Sequence, residues 1–324
     1  MSNSPEGERL SVRVASVTEL AQGIRGLRLV RDGGDMPSFT AGAHVDFFLP
    51  TPAGELRRSY SIASPPWDSG GYDFGVLRDA ASSGGSAFVH DRISAGDLLD
   101  ISPPKNFFPL ADEAGHHLLL AGGIGITPML CMARVLDRRG ADFALHYAAR
   151  SPRQMAYRTE IESLGTERAS LYFDGGDPAK GMDLPALLNG PSPDTHVYVC
   201  GPVGMIDAAR ESAAAAGWPE RQVHYEIFSA PRHEAADSAI EVVINSTGAT
   251  LRVPADRSIL DVLLDADVDT DFDCKVGICG LCAVEVLEGE AEHRDHILAE
   301  EEHAAGMFCT CVSRARTRRL VLDL

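Results

Sequence analysis

Three cysteines stand in the run DFDCKVGICGLCAVEV at Cys274, Cys279 and Cys282, and their C-x4-C-x2-C spacing leaves the surrounding chain few ways to fold. A fourth follows at Cys311 in FCTCVSRA. A plant-type [2Fe–2S] centre needs this arrangement, with four thiolates holding two irons. Gly277 and Gly280 lie inside the loop. They let the backbone curl round a cluster and turn N–H groups toward its sulfurs. The competing reading is a four-cysteine zinc site, which ordinarily shows paired C-x2-C knuckles rather than one x4/x2 group. Such a cluster accepts one electron at a time, so the motif points to electron transfer.

The chain has 324 residues, and at roughly 150 residues per domain that suggests two or three domains. Its hydrophobic content of 44% is ordinary for a globular protein. No apolar run approaches the roughly 18 residues of a membrane span, and MSNSPEGERL has no charged region leading into an apolar stretch. Seven cysteines, four of them assigned to a cluster, suit a reducing compartment better than a disulfide framework. A cytoplasmic protein with no membrane partner is expected, and a monomer is the default.

The net charge of −18 is uneven. From Glu234 onward there are 19 acidic and 8 basic side chains, a balance of −11, and the rest of the chain supplies the other −7. DADVDTDFD (265–273) runs straight into the cysteine loop. Such acids keep an exposed surface soluble, and they also suit a docking face for a basic protein, whose encounter the field would speed. Nucleic acid is not an expected partner for so acidic a chain.

Residues 1–110 read as an antiparallel β-barrel, from the short alternating stretches LSVRVASV, GLRLV, AHVDFFL, LRRSYSI and YDFGVL between Gly, Pro and Asp turns. Residues 111–229 alternate strands (HHLLLA, ADFALHYA, ASLYFD, THVYVC, QVHYEI) with helices (TPMLCMARVLDRR, QMAYRTEIESL, VGMIDAARESAAAA). That pattern implies an α/β domain with a parallel sheet, whose ligands bind at the carboxyl ends of the strands. Residues 230–238 have the composition of a linker. Residues 239–324 then run strand, strand, helix (SILDVLLDA), cysteine loop, strand (CAVEVL), acidic helix (LAEEEHAA) and last strand.

Other motifs carry chemistry. Arg58, Ser59, Tyr60 and Ser61 put a guanidinium, an aromatic ring and hydroxyls on one strand. They can neutralise a phosphate, stack on a flat ring and bond its edge, although the same tetrapeptide also suits a plain half-exposed strand. Gly84, Gly85 and Ser86 precede a helix, where bare N–H groups suit a phosphate. AGGIGITPM carries Gly122, Gly123, Gly125, Thr127 and Pro128 between a strand and a helix. This suits a pyrophosphate at a helix N-terminus, although the G-x-G-x-x-G fingerprint is incomplete. VYVCGPVGM repeats the arrangement with Cys200, Gly201, Pro202 and Met205, and Cys200 at the strand end is placed to touch a nicotinamide. Arg150 and Ser151 end one strand and Asp174 the next. A carboxylate there accepts from an adenosine ribose and repels a 2′-phosphate, which favours NADH, whereas Arg150 and Arg153 can be read the other way. HRDH (293–296) reads as a surface turn rather than a metal site, and Cys131 as core.

In this order, RSYS (58–61), GGS (84–86), GGIGITPM (122–129), CGP (200–202), HYEIF (224–228), CKVGICGLC (274–282) and CVSRA (311–315) resemble the phthalate dioxygenase reductase family over essentially the whole chain. These are reductases that feed Rieske-type oxygenases, including aromatic O-demethylases. The resemblance implies a flavin barrel, an NAD domain and a C-terminal plant-type ferredoxin domain of β-grasp (α+β) form. It implies that Arg58 binds the phosphate of FMN, with Tyr60 against the isoalloxazine, Ser61 near its N5, and Gly84, Gly85 and Ser86 around the phosphate. Thr127 and Phe228 would lie where flavin and nicotinamide meet, with Glu226 orienting that region. FMN in preference to FAD rests on the family and on the lack of an obvious adenine-binding stretch. The fourth cluster ligand is taken as Cys311, from its C-V-S-R-A context, with Cys309 as a packed neighbour.

The implied activity is electron transfer from NADH through FMN and the [2Fe–2S] cluster to a separate terminal oxygenase, docked near the acidic ferredoxin domain. A flavin is the needed converter, because hydride transfer moves two electrons together and the cluster passes one. A cytochrome P450 acceptor and a flavin-containing redox sensor are the alternatives.

Overall fold

The computed structural model describes residues 8–51, 54–79, 84–228 and 238–324. The chain divides into two units, Met1–Glu226 and Ile227–Leu324. Of the expected linker 230–238, all but Ser238 lies outside the described residues.

The first unit opens with β1 (Leu10–Ala21), β2 (Ile24–Val30), β3 (His44–Thr51), β4 (Gly54–Ser61), β5 (Tyr72–Leu77), α1 (Gly85–Arg92) and β6 (Leu98–Ile101). The strands form an antiparallel sheet in the order β4-β3-β6-β1-β2-β5. Alternate residues face inward, and Val12, Val14, Val45, Phe47, Leu49 and Phe74 fill the interior. The two edges meet just past β4. There the Ala63 N–H donates to the Asp73 carbonyl at 2.8 Å, and the Asp73 N–H to Ser64 Oγ at 3.1 Å. This is the expected barrel.

The same unit continues with β7 (His116–Gly122), α2 (Ile126–Arg139), β8 (Asp142–Ala149), α3 (Arg158–Glu162), β9 (Ala169–Phe173), α4 (Leu184–Leu187), β10 (Thr195–Cys200), α5 (Val203–Ala216) and β11 (Val223–Glu226). These strands form a parallel sheet ordered β11-β10-β7-β8-β9. Leu118, Leu119, Leu120 and Ala121 of β7 are all buried, as a central strand covered on both faces requires. The strand order reverses between β7 and β10, which makes their carboxyl ends the ligand-binding point of such a sheet. One expected helix is shorter than its sequence suggests. QMAYRTEIESL is helical only from Arg158, because buried Tyr157 takes a left-handed φ of 55° and ends the run before it.

The second unit holds β12 (Ile240–Ile244), β13 (Thr250–Val253), α6 (Ile259–Asp265), β14 (Ala283–Glu288), β15 (Ala291–Glu292), α7 (Glu300–Ala304), β16 (Met307–Cys309), β17 (Arg314–Ala315) and β18 (Arg319–Leu322). Its main sheet runs β13-β12-β18-β14-β16, with first strand β12 parallel to last strand β18. α6 starts at Ser258, whose Oγ accepts the Asp261 N–H at 3.0 Å. Ile259 and Leu263 of α6 join Val242, Phe308 and Leu320 in one apolar core. Parallel terminal strands under one helix make the β-grasp form. Arg314 in CVSRA is buried and donates to the carbonyls of Arg257 and Ser238, both at 2.7 Å. It fastens the start of this unit to its end.

Candidate electron-transfer sites

In the first unit, the loops after β7 and β10 cross so closely that only glycine fits. A Cβ on Gly125 would stand 2.2 Å from the Cys200 carbonyl oxygen, and one on Gly201 3.0 Å from Gly122 Cα. Gly122 itself faces Met205 Sδ and Pro202 Cδ at 2.6 and 2.8 Å from such a Cβ. Both expected glycine motifs thus meet at the point where strand order reverses. Gly123 to Gly125 form a single 3₁₀ turn before Ile126 opens α2. Thr127, behind them, donates to the Ile124 carbonyl at 3.0 Å. Barrel residue Gly75 comes against Thr127 and Tyr157, at 3.1 and 3.3 Å from its would-be Cβ. Neither Gly75 nor Tyr157 stood out in the sequence. A glycine inside a strand does signal close approach of another backbone or ligand, and at Gly75 that signal was available.

Buried Glu226 joins this junction from the end of β11, beside Cys200 in the parallel register. Ser61 Oγ donates to its Oε2 at 3.4 Å. Burial raises the Glu226 carboxyl to about 8, outweighing that hydrogen bond, so it holds its proton at neutral pH. Burial, and then the neighbouring Glu226, push the Cys200 thiol well up, so Cys200 is no thiolate nucleophile. Ser61, Cys200, Glu226 and Thr127 therefore form a water-poor junction without a strong base.

Along β4, Arg58 and Tyr60 share one face, and Ser59 lies on the other. Ser59 Oγ donates to Asp46 Oδ1 at 2.5 Å, which commits it to the barrel. The Tyr60 ring packs edge-on against Phe47 with centroids 4.7 Å apart, and burial raises its phenol to about 12. Gly84 takes a left-handed φ of 101° at the start of α1. A Cβ on Gly85 would meet Arg58 Cγ at 2.6 Å, so the guanidinium stem lies across a helix start that only glycine leaves open. Ser86 Oγ accepts the Asp79 N–H at 3.1 Å. A cation over a bare helix N-terminus fits a phosphate.

Arg150 and Asp174 lie together at the carboxyl ends of β8 and β9, where the Gly175 N–H donates to the Arg150 carbonyl at 3.0 Å. Asp174 Oδ1 accepts the Gly176 N–H at 2.6 Å, so the carboxylate also shapes its own loop. Ser151 Oγ donates to Gln154 at 3.1 Å. Phe228 keeps an exposed ring and belongs to the second unit. Cys131 is buried in the core.

In the second unit the thiols gather as two groups. Cys274 and Cys279 are hydrogen-bonded to each other, and Cys282 contacts both Cys309 and Cys311. Neighbouring thiols and backbone N–H groups hold the Cys274 and Cys282 sulfurs toward thiolate. The N–H donors include Val276 to Cys274 at 3.4 Å and the amide of Cys311 to Cys282. Lys275, Gly277 and Gly280 take left-handed φ values of 56°, 77° and 75°, which curl the loop. One zinc would draw all four sulfurs to within ~3.8 Å of one another. Among the described residues no three cysteine sulfurs lie within 4.8 Å of one another. A pair from Cys274 and Cys279 beside a second group of Cys282 with Cys311 and Cys309 suits two irons, so these residues fit a [2Fe–2S] cluster. The HRDH expectation is corrected. The Asp295 side chain is completely buried, because it caps the Leu298 N–H and meets His303 instead of lying on a surface turn.

This fold and donor set define a class: modular reductases that join a flavin barrel, a nucleotide sheet and a ferredoxin. A family profile described as a 2Fe-2S iron-sulfur cluster binding domain matches residues 242–316. Vanillate O-demethylase oxidoreductase of Pseudomonas sp. (strain HR199 / DSM 7063) is 42% identical over 97% of this chain and 100% of its own. The heme-dependent oxidative N-demethylase beta subunit of Ectopseudomonas mendocina (strain ymp) is 40% identical over 97% of this chain and 99% of its own. The solved structure of phthalate dioxygenase reductase, titled a modular structure for electron transfer from pyridine nucleotides to [2Fe-2S], matches with a TM-score of 0.77 at 37% identity, covering 98% of each chain. The chain belongs to the phthalate dioxygenase reductase family. It is an electron-transfer oxidoreductase, a flavoprotein with a [2Fe–2S] ferredoxin domain, of the kind that serves as the reductase component of an oxygenase system. Among the described residues no helix is long and apolar enough to cross a membrane.

Proposed function

We propose that this chain takes a hydride from NADH onto FMN and delivers single electrons through its cluster to a separate terminal oxygenase. The observation that supports this is the crossing of the β7 and β10 loops, whose helix residue Thr127 packs against Gly75 of β5, together with the hydrogen bond from Ser61, at the end of the strand bearing Arg58 and Tyr60, to Glu226 of β11. The flavin, when bound, converts a two-electron donor into a one-electron source. Arg58 with Gly84, Gly85 and Ser86 binds the FMN phosphate, and Tyr60 flanks the ring system. Ser61, Thr127, Cys200 and Glu226 position the reacting edges and exclude water from them. Gly122, Gly123, Gly125, Pro128, Gly201, Pro202 and Met205 cradle the pyrophosphate and nicotinamide, and Arg150, Ser151 and Asp174 meet the adenosine end.

Cys274, Cys279, Cys282 and Cys311 hold the cluster, and Cys309 packs beside it. The oxygenase docks at the ferredoxin domain, where Leu281 and Ile297 flank the loop at 51% and 45% exposure and acids 265–273 approach it. A docking face with an apolar centre and a charged rim is physically sound. We place the protein in the cytoplasm as a monomer, where its seven cysteines stay reduced. Two of the relatives named above bear O-demethylase and N-demethylase names and the third a dioxygenase name, so the acceptor we favour is a terminal oxygenase of the dioxygenase or demethylase kind.

The test is anaerobic addition of NADH to purified protein, with flavin identified by mass. Bleaching of FMN followed by reduction of the cluster is expected. Bound FAD would correct the flavin assignment, and flavin reduction without cluster reduction would overturn the electron path.

A further inference from the structure

Asp295 takes no part in the assignments above, yet it touches both halves of the thiol shell. Its side chain is completely buried. Oδ1 accepts from His303 Nε2 at 3.2 Å and from Ser313 Oγ at 3.4 Å, and Oδ2 accepts the Leu298 N–H at 3.0 Å. Ser313 stands two residues beyond Cys311. On the other side, a Cβ on Gly277 would come 3.2 Å from Asp295 Cα, and the His296 N–H donates to the Gly277 carbonyl at 2.9 Å. The backbone of residues 295–296 thus holds the loop 274–282, and the carboxylate ties that same stretch to Ser313 of the segment after Cys311.

Among the described residues, His293, Asp295 and His303 are also the one group of three metal-capable side chains with ligand atoms within 4.8 Å. A cation there would have to displace the donors that already occupy both oxygens of Asp295. The His293 and His303 rings are stacked 3.9 Å apart. The trio therefore reads as an anchor and not as an ion site.

We propose that Asp295 is a positioning residue for the cluster, clamping the loop with three cysteines to the segment with the fourth, and that its buried charge makes the cluster harder to reduce. This rests on the assignment of a [2Fe–2S] centre to these thiols. The electrostatic part follows from a fixed negative charge in a poorly screened interior, where adding an electron nearby is opposed. The clamp follows from a carboxylate that bonds Leu298, His303 and Ser313 while the backbone beside it, at His296, bonds Gly277 of the cysteine loop.

The experiment uses full-length protein carrying its cofactors, with Asp295→Asn and Asp295→Ala. Iron and acid-labile sulfide per chain, the cluster midpoint potential, iron release to a chelator, and NADH-driven flavin bleaching are measured. Asp295→Asn, which keeps size and removes charge, is expected to retain iron and shift the midpoint positive. Asp295→Ala is expected to release iron several-fold faster, with flavin bleaching unchanged in both variants. An unchanged midpoint in Asp295→Asn overturns the charge effect, and unchanged iron release in Asp295→Ala overturns the clamp. Should Asp295→Ala fail to fold, iron release from Ser313→Ala, which removes the donor from the segment after Cys311, decides the clamp instead, with a rate equal to wild type overturning it. Wild-type protein that never holds two irons after reconstitution would overturn the cluster assignment itself, a result distinct from either.

Discussion

The loop crossing of the first unit and the cysteine loop of the second solve ligand binding in opposite ways. At the crossing the chain supplies almost no side chains. Gly122, Gly125 and Gly201 are pressed against backbone and against Met205, and what they offer a ligand is space and N–H groups. At the cysteine loop the side chains do the binding, and the glycines only let the chain turn. A site made of absence tolerates no added atom, whereas a site made of donors tolerates no lost one.

The largest expected effects test the second half of that contrast. Cys279→Ser and Cys311→Ser should each abolish the visible cluster absorbance while NADH still bleaches the flavin. Cys309→Ser should keep the cluster, and equal loss in all three would return the fourth ligand to question. The matching test at the crossing is Gly125→Ala. Its new methyl overlaps the Cys200 carbonyl, and overpacking of this kind costs about 1–3 kcal/mol. A clear drop in urea midpoint with weakened NADH binding is expected, and wild-type behaviour in both would show that the loops part easily.

Arg58→Ala removes a charge-assisted contact worth about 1.5–3 kcal/mol, so the flavin dissociation constant should rise about ten- to a hundredfold in equilibrium titration. For Glu226 the sign is fixed by its raised carboxyl. The folded protein keeps this proton up to about pH 8, whereas the unfolded chain releases it near 4.5. The stabilisation is complete below the unfolded value and lost as pH rises toward 8. Urea midpoints of wild type should therefore fall against those of Glu226→Gln between pH 5 and 8, and parallel curves would remove Glu226 from the buried junction. The smallest effect is expected for Asp174→Ala. It should relax discrimination against NADPH by a few-fold, and an unchanged ratio of kcat/KM values would leave coenzyme choice to other residues.

The same contrast explains which features the sequence makes legible by itself. Cys274, Cys279 and Cys282 announce themselves, because three donors for one ligand must lie close in sequence to share one tight loop. Barrel and sheet are legible from the alternation of VRVAS-type strands and from apolar HHLLLA between Gly-rich turns. Gly125 stands out as a loop glycine, but its partner at the crossing is a carbonyl on a distant strand, and no local pattern names it. The helix expected through QMAYRTEIESL is too long because Tyr157 gives up helical φ to pack beside Gly75. Asp295 is misread for a related reason. A charged residue is ordinarily exposed, and the donors that allow its burial come from residues 298, 303 and 313.

Arg314 bears on any attempt to study the ferredoxin by itself. One of its acceptors is the carbonyl of Ser238, the first residue described ahead of β12. A fragment cut to begin at the first strand would remove the shorter of the two carbonyl contacts of this Nη2, a charge-assisted bond worth about 1.5–3 kcal/mol. A faithful stand-alone ferredoxin should begin upstream of Ser238. Instability in a shorter fragment would then reflect the trimming and say nothing of whether the ferredoxin folds independently.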